Sequence, residues 1–144
     1  MNQVFLLLLL ISHVIGDGFL GSKKFAELKR DKRFSYRLIA VTAHTIPHAL
    51  IAGLLMLLVG YPWLKVALLV FVLHFLIDFI RCQVDMKLFG IGGLNFSETL
   101  SYALGVRRDD KKPDGKTLRT WSTINILDQT AHVASLYAIA KMVY

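Results

Sequence analysis

Apolar residues run in four long stretches, roughly 3 to 21, 38 to 60, 63 to 81 and 122 to 143, with polar and basic segments between them. A helix that crosses a bilayer needs about 20 predominantly apolar residues, and each stretch is close to that length. Only Gly60, Tyr61 and Pro62 separate the second stretch from the third, a turn signal that makes the two an antiparallel hairpin. The pattern predicts an all-α, polytopic membrane four-helix bundle forming a single transmembrane domain over residues 1–144. Polar residues interrupt the apolar stretches at one recurring spacing. His13 with Asp17, His44 with His48, His74 with Asp78, and Asp128 with His132 are each four residues apart, one pair per stretch, and they include all five histidines of the chain. Residues four apart share a helix face, so each stretch points one pair in a single direction. Ionisable groups are costly in hydrocarbon and turn toward the bundle interior, a partner or an ion.

Composition fits this solvent. With 55% hydrophobic residues and a mean hydropathy of +0.53, 144 residues make one domain that is too apolar for an ordinary soluble fold. The formal charge of +7 does not argue for nucleic acid, because Lys and Arg lie between the apolar stretches rather than along a recognition helix. Residues 22–37 hold Lys23, Lys24, Lys29, Arg30, Lys32, Arg33 and Arg37 against Glu27 and Asp31. Residues 82–121 are basic as well, through Lys87, Arg107, Arg108, Lys111, Lys112, Lys116 and Arg119, and Arg81 marks their membrane edge. By the positive-inside rule both loops are cytoplasmic, which puts both termini on the non-cytoplasmic side. Within the second of these loops, the connection before the last span, Asn95 and Glu98 form a capping box ahead of Leu100 and Leu104. A short interfacial helix is expected there, followed by a solvated turn at Arg107 to Lys116.

Three weaker signals carry less. Cys82 is the single cysteine, so no internal disulfide forms and a structural role is expected. The first nineteen residues resemble a secretory signal but lack a basic start and carry His13 and Asp17, so no cleavage is expected. Gly16, Gly18 and Gly21 match a dinucleotide-binding spacing with no strand before them, and small residues at that place favour close helix packing instead.

Depth tests whether the pairs meet. Counted from the cytoplasmic ends of the stretches, all eight side chains fall about three to eleven residues in, between that interface and the bilayer middle at ~1.5 Å per residue. Four pairs at one level build a shared site. His13, Asp17, His44, His48, His74, Asp78, Asp128 and His132 are therefore expected as metal ligands, with no Lys or Arg inside the stretches placed to neutralise the aspartates. Imidazole and carboxylate donors without thiolate suit a divalent transition metal, Zn, Mn or Fe. Three aspartates exceed the charge of one divalent ion, so two ions are expected. Ser12, Thr45, Asn125 and Gln129 are candidates to support the ligands by hydrogen bonds, although a Ser or Thr in a span often bonds its own backbone. Pro47, between His44 and His48, is expected to kink the second span.

These residues resemble a family of small bacterial and phage inner-membrane proteins of unknown function. The resemblance rests on His13-x-x-x-Asp17 followed by KKFAELKR, on His44, on HFLID at 74–78 followed by Arg81, and on DQTAH at 128–132. It implies a compact helical protein of the bacterial inner membrane with a polar centre, and it brings no agreed activity. The family pattern has Gln at the fourth residue after the first Asp, where this chain has Gly21.

Four functions compete. A metal-dependent hydrolase would open toward the cytoplasm and cleave a phosphoester or amide of a lipid or amphiphile, with Asp78 as base and Lys23, Lys24, Arg81 and Arg119 holding an anionic headgroup. A divalent-metal binding or transport protein would use the same ligands but needs polar access from both sides. A b-type haem protein needs two histidines and leaves the aspartates unexplained. A non-enzymatic membrane interaction protein would act by contact alone. Membrane lipids are the expected partners, and a homodimer would enlarge the small enclosure that four helices provide.

Overall fold

The computed structural model of the protein describes residues 3–20, 27–89, 101, 104 and 114–143. Among these residues there are four α-helices and no strand: α1 (Gln3–Leu20), α2 (Phe34–Leu58), α3 (Trp63–Phe89) and α4 (Gly115–Val143). Consecutive helices pack on each other, and α1 meets α4 to close the ring, which is the arrangement of an up-and-down bundle. Side-chain contacts fix the directions. Phe5 near the start of α1 meets Tyr61 edge-on at 4.9 Å, and Lys65 near the start of α3 reaches the Met142 carbonyl at the end of α4.

Local chemistry explains the helix ends. The α2–α3 turn ends α2 with Gly60 at φ +76, where Gly60 N donates to Leu57 O at 3.2 Å and Tyr61 N to Met56 O at 2.9 Å. That pair of bonds is the Schellman motif, which needs a left-handed residue and therefore glycine. Asp114 caps α4, its Oδ1 accepting the Thr117 N–H at 2.6 Å. Ahead of α2, Asp31 accepts both the Arg33 backbone N–H at 2.8 Å and the Arg33 guanidinium at 3.0 Å, which pulls its carboxyl down to about 2.

The bundle is apolar outside and layered inside. On α3 the residues Leu64, Leu68, Val72, Leu76 and Ile80 face outward, while Val66, Val70, His74, Asp78, Cys82 and Asp85 are buried. Val4, Leu7, Ile11 and Val14 form the matching outward stripe on α1. At one end Phe5, Leu9, Met56, Val66, Leu136 and Ile139 make a dry hydrophobic core. In the middle lies the histidine and aspartate layer. Beyond it Arg30, Cys82, Asp85, Trp121 and Asn125 are buried as a third, largely ionic layer.

Two helices, α2 and α3, are long and apolar enough to cross a membrane, and the apolar part of α1, residues 3–18, is shorter. The helices outrun the apolar stretches read from the sequence. Continuing past Arg81, α3 buries Asp85, and α4 begins at Gly115 rather than at residue 122. Polar residues persist in these helices because the third layer supplies their partners. Through Pro47 the helix α2 is continuous. Residues 95–100 of the expected interfacial helix, together with Gly21, Lys23 and Lys24, lie outside the described residues.

Candidate metal centre

Each helix contributes its four-spaced pair to the same interior point: His13 and Asp17 from α1, His44 and His48 from α2, His74 and Asp78 from α3, Asp128 and His132 from α4. All five imidazoles are buried. Their rings crowd together, with centroids 3.9 Å apart for His48 and His74, 4.3 Å for His74 and His132, 4.8 Å for His44 and His48, and 4.9 Å for His13 and His132. Close approach of α1 to α2 depends on Gly16, against which the His48 ring lies.

Two carboxylates sit among these rings. Asp17 Oδ1 is 3.4 Å from His48 Nε2 and 3.7 Å from His44 Nε2, and its Oδ2 is 3.6 Å from His13 Nε2. Asp78 Oδ2 is 3.4 Å from His44 Nε2 and 3.8 Å from His74 Nε2, and its Oδ1 is 3.6 Å from His132 Nε2. Nearly all these separations lie beyond good hydrogen-bond length. Four of the six fall instead within the ligand-to-ligand edge of a tetrahedral site, about 3.3–3.6 Å for bonds of ~2.0–2.2 Å. Both ring nitrogens of His48, Nε2 of His74 and of His132, and Nδ1 of His44 are buried without a hydrogen-bond partner among the described residues. Buried polar atoms of this kind are rare unless something else satisfies them. Two compact sets able to hold an ion emerge, Asp17 with His44, His48 and His74, and His74 with Asp78 and His132, the ligand atoms in each lying within 4.8 Å of one another.

His13 and Asp128 stand beside these sets rather than in them. Gln129 bridges the two, its Oε1 3.4 Å from His13 Nε2 and its Nε2 donating to Asp128 Oδ2 at 3.5 Å. Asp128 also orients His132, whose Nδ1 is 2.9 Å from the Asp128 carbonyl. Of the expected supporting residues, Gln129 touches His13 and Asp128, and Asn125 accepts from Arg81 Nη2 at 2.6 Å. Ser12 and Thr45 take the backbone alternative. Their hydroxyls donate to their own helix, to Leu9 O at 2.7 Å and Val41 O at 2.9 Å, because a carbonyl one turn back is always in reach.

The larger correction concerns charge. A cation does neutralise an aspartate: Lys29, from the connection between α1 and α2, places Nζ 2.7 Å from Asp78 Oδ2. The spans need not contain the counter-charge when a connecting segment folds into the bundle end. A second network escaped the sequence reading too. Asp85 accepts from Arg81 Nε at 2.8 Å and Arg30 Nε at 3.3 Å, and both guanidiniums lie over the Trp121 ring, at 5.4 and 4.9 Å. Arg119 is exposed.

No curated protein and no solved structure matches the chain. A family model does, over residues 5–144, and the chain belongs to that family, the proteins of unknown function DUF3307.

Proposed function

We propose that this protein is a membrane-embedded, metal-dependent hydrolase that cleaves a phosphoester or amide of a lipid or other amphiphile from the cytoplasmic side. The observation that carries the reading is the convergence of five imidazoles and two carboxylates, with ring nitrogens that have no hydrogen-bond partner among the described residues, inside helices whose outward faces are apolar. Soluble bundles put such apolar stripes inside and such ionisable groups outside; a bilayer reverses both preferences.

One ion suits the centre better than the two expected from the aspartate count. His74 belongs to both compact sets, and Lys29 reduces the formal charge of the three aspartates from −3 to −2. Asp17, His44, His48 and His74 offer a three-nitrogen, one-oxygen donor set fit for Zn, Fe or Mn. When bound, such an ion supplies Lewis acidity toward a phosphoryl or carbonyl oxygen and lowers the pKa of water. The remaining work falls to the chain. Asp17, with its side chain 38% exposed, lies at the open edge where substrate enters. Asp78, expected as the base, is engaged by Lys29. Asp128 keeps one buried oxygen, Oδ1, without a hydrogen-bond partner among the described residues and is the carboxylate left to accept a proton.

The dry core beneath the centre opposes the carrier reading, since Phe5, Leu9, Met56 and Val66 close one end of the bundle. Imidazole centroids 3.9 to 5.4 Å apart leave no slot for a porphyrin.

Elemental analysis of the full-length protein purified in detergent tests the reading, with Asp17→Ala, His48→Ala and Asp128→Asn alongside. About one equivalent of Zn, Mn or Fe, lost in the first two variants and kept in the third, is expected. Asp128→Asn should then cost ~10²–10⁴-fold in hydrolysis of the best substrate in a panel of phosphoester and amide amphiphiles. Absence of stoichiometric metal after reconstitution with each ion would end the metalloenzyme reading.

A further inference from the structure

Cationic side chains gather on the side of the centre away from Phe5 and Leu9. Lys29 stands within the centre itself; an ammonium has three N–H donors, and its contact with Asp78 uses one. Arg81 lies one helical turn along α3 from Asp78 and is fixed at two of its three nitrogens, by Asp85 and by Asn125. The third, Nη1, is buried with no hydrogen-bond partner among the described residues. A guanidinium clamped in this way is a preorganised donor, and stacking over Trp121 limits its remaining freedom. Guanidinium and ammonium groups bind phosphate oxygens through short charge-assisted bonds. A neutral amide offers this pair no anionic oxygen.

We propose that Lys29 and Arg81 hold the phosphate group of the ligand, so that the centre takes a phosphate ester in preference to an amide. That the phosphate ester is a substrate rests on the metal-centre reading above; its binding does not, because neither residue belongs to the ligand sets. A purely structural role for both cations, as partners of Asp78 and Asp85, predicts no phosphate binding at all.

Calorimetric titration of inorganic phosphate into the full-length protein in detergent, stripped of metal with a chelator, tests this. Wild type should bind, and Lys29→Gln and Arg81→Lys should each weaken binding ~10-fold or more, the loss of one charge-assisted bond. Arg81→Lys keeps the charge beside Asp85 and so guards against misfolding, while Arg33→Gln, at an exposed guanidinium paired with Asp31, should bind as wild type. Repeating the titration in phosphatidylcholine nanodiscs with and without phosphatidic acid separates two sources of the phosphate. Loss of the phosphate heat only when phosphatidic acid is present assigns the site to a lipid headgroup; heat unchanged by that lipid assigns it to a free phosphate compound. No heat in detergent, binding as tight as wild type by Lys29→Gln and Arg81→Lys, or an equal loss in Arg33→Gln overturns the proposal. Metal content measured on the same preparations before stripping keeps its failure separate from that of the metal centre.

Discussion

The imidazole of His48 lies flat against Gly16: a Cβ at that glycine would fall 2.8 Å from His48 Cγ and closer still to Nδ1. The ring has nowhere to retreat, because His74 stacks on its other side at 3.9 Å and His13 lies 5.3 Å away. Gly16→Ala should therefore push His48 out of line with Asp17 and destabilise the bundle by about 1–3 kcal/mol, the usual cost of overpacking. Gly18, where a Cβ meets nothing within 4 Å, is the internal control, and Gly18→Ala should be neutral. Thermal melts in detergent with metal content measured on the same samples check both. Normal stability and metal content in Gly16→Ala would mean that the α1–α2 approach does not shape the site.

Asp85 ties three parts of the chain together, α3 through Arg81, the α1–α2 connection through Arg30, and α4 through Arg81 and Asn125. Removing a partner from a buried ion pair costs about 3–5 kcal/mol, since the charge left behind is poorly solvated. Asp85→Asn should thus lower the melting temperature strongly and loosen the segment carrying Lys29. Arg33, paired with Asp31 at 3.0 Å but with its side chain 61% exposed, sets the comparison. Arg33→Ala should leave the melt unchanged, as exposed pairs usually do. Equal, small effects of the two substitutions would reduce the ionic layer to a surface feature.

The four helices and the eight converging residues were legible from two periodicities, the length of the apolar runs and the four-residue spacing within them. Lys29 and Asp85 were not. Lys29 is one of seven basic residues between 22 and 37, and nothing in its spacing distinguishes it from Lys24 or Lys32. Only the fold of the connection brings it to Asp78. Asp85 falls where apolarity has already faded, yet it continues the buried line Val66, Val70, His74, Asp78 and Cys82 by about one turn. Following that line past Arg81, instead of stopping where hydropathy drops, would have found it. For Ser12 and Thr45, being next to a ligand in sequence says little about where a hydroxyl points once its own helix backbone competes.

The outward stripe of α3 gives the sharpest test of the bilayer. Val72 is 50% exposed and sits on the same outward line as Leu68 and Leu76, with the buried centre behind it. In water, Val72→Lys would be a harmless surface change, within about 0.5 kcal/mol and favourable to solubility. In hydrocarbon the same ammonium costs about 2.5–3.5 kcal/mol near the middle of a span. Lys at position 65 of the wild type is tolerated on either account because it lies near the end of α3, where its chain reaches the Met142 carbonyl. Val72→Lys should accordingly reduce the fraction of protein that stays with membranes after alkaline carbonate extraction, with wild type fully retained. A Val72→Lys variant that matches wild type in yield and melts normally in buffer without detergent would show that the apolar exterior of this bundle faces something other than lipid.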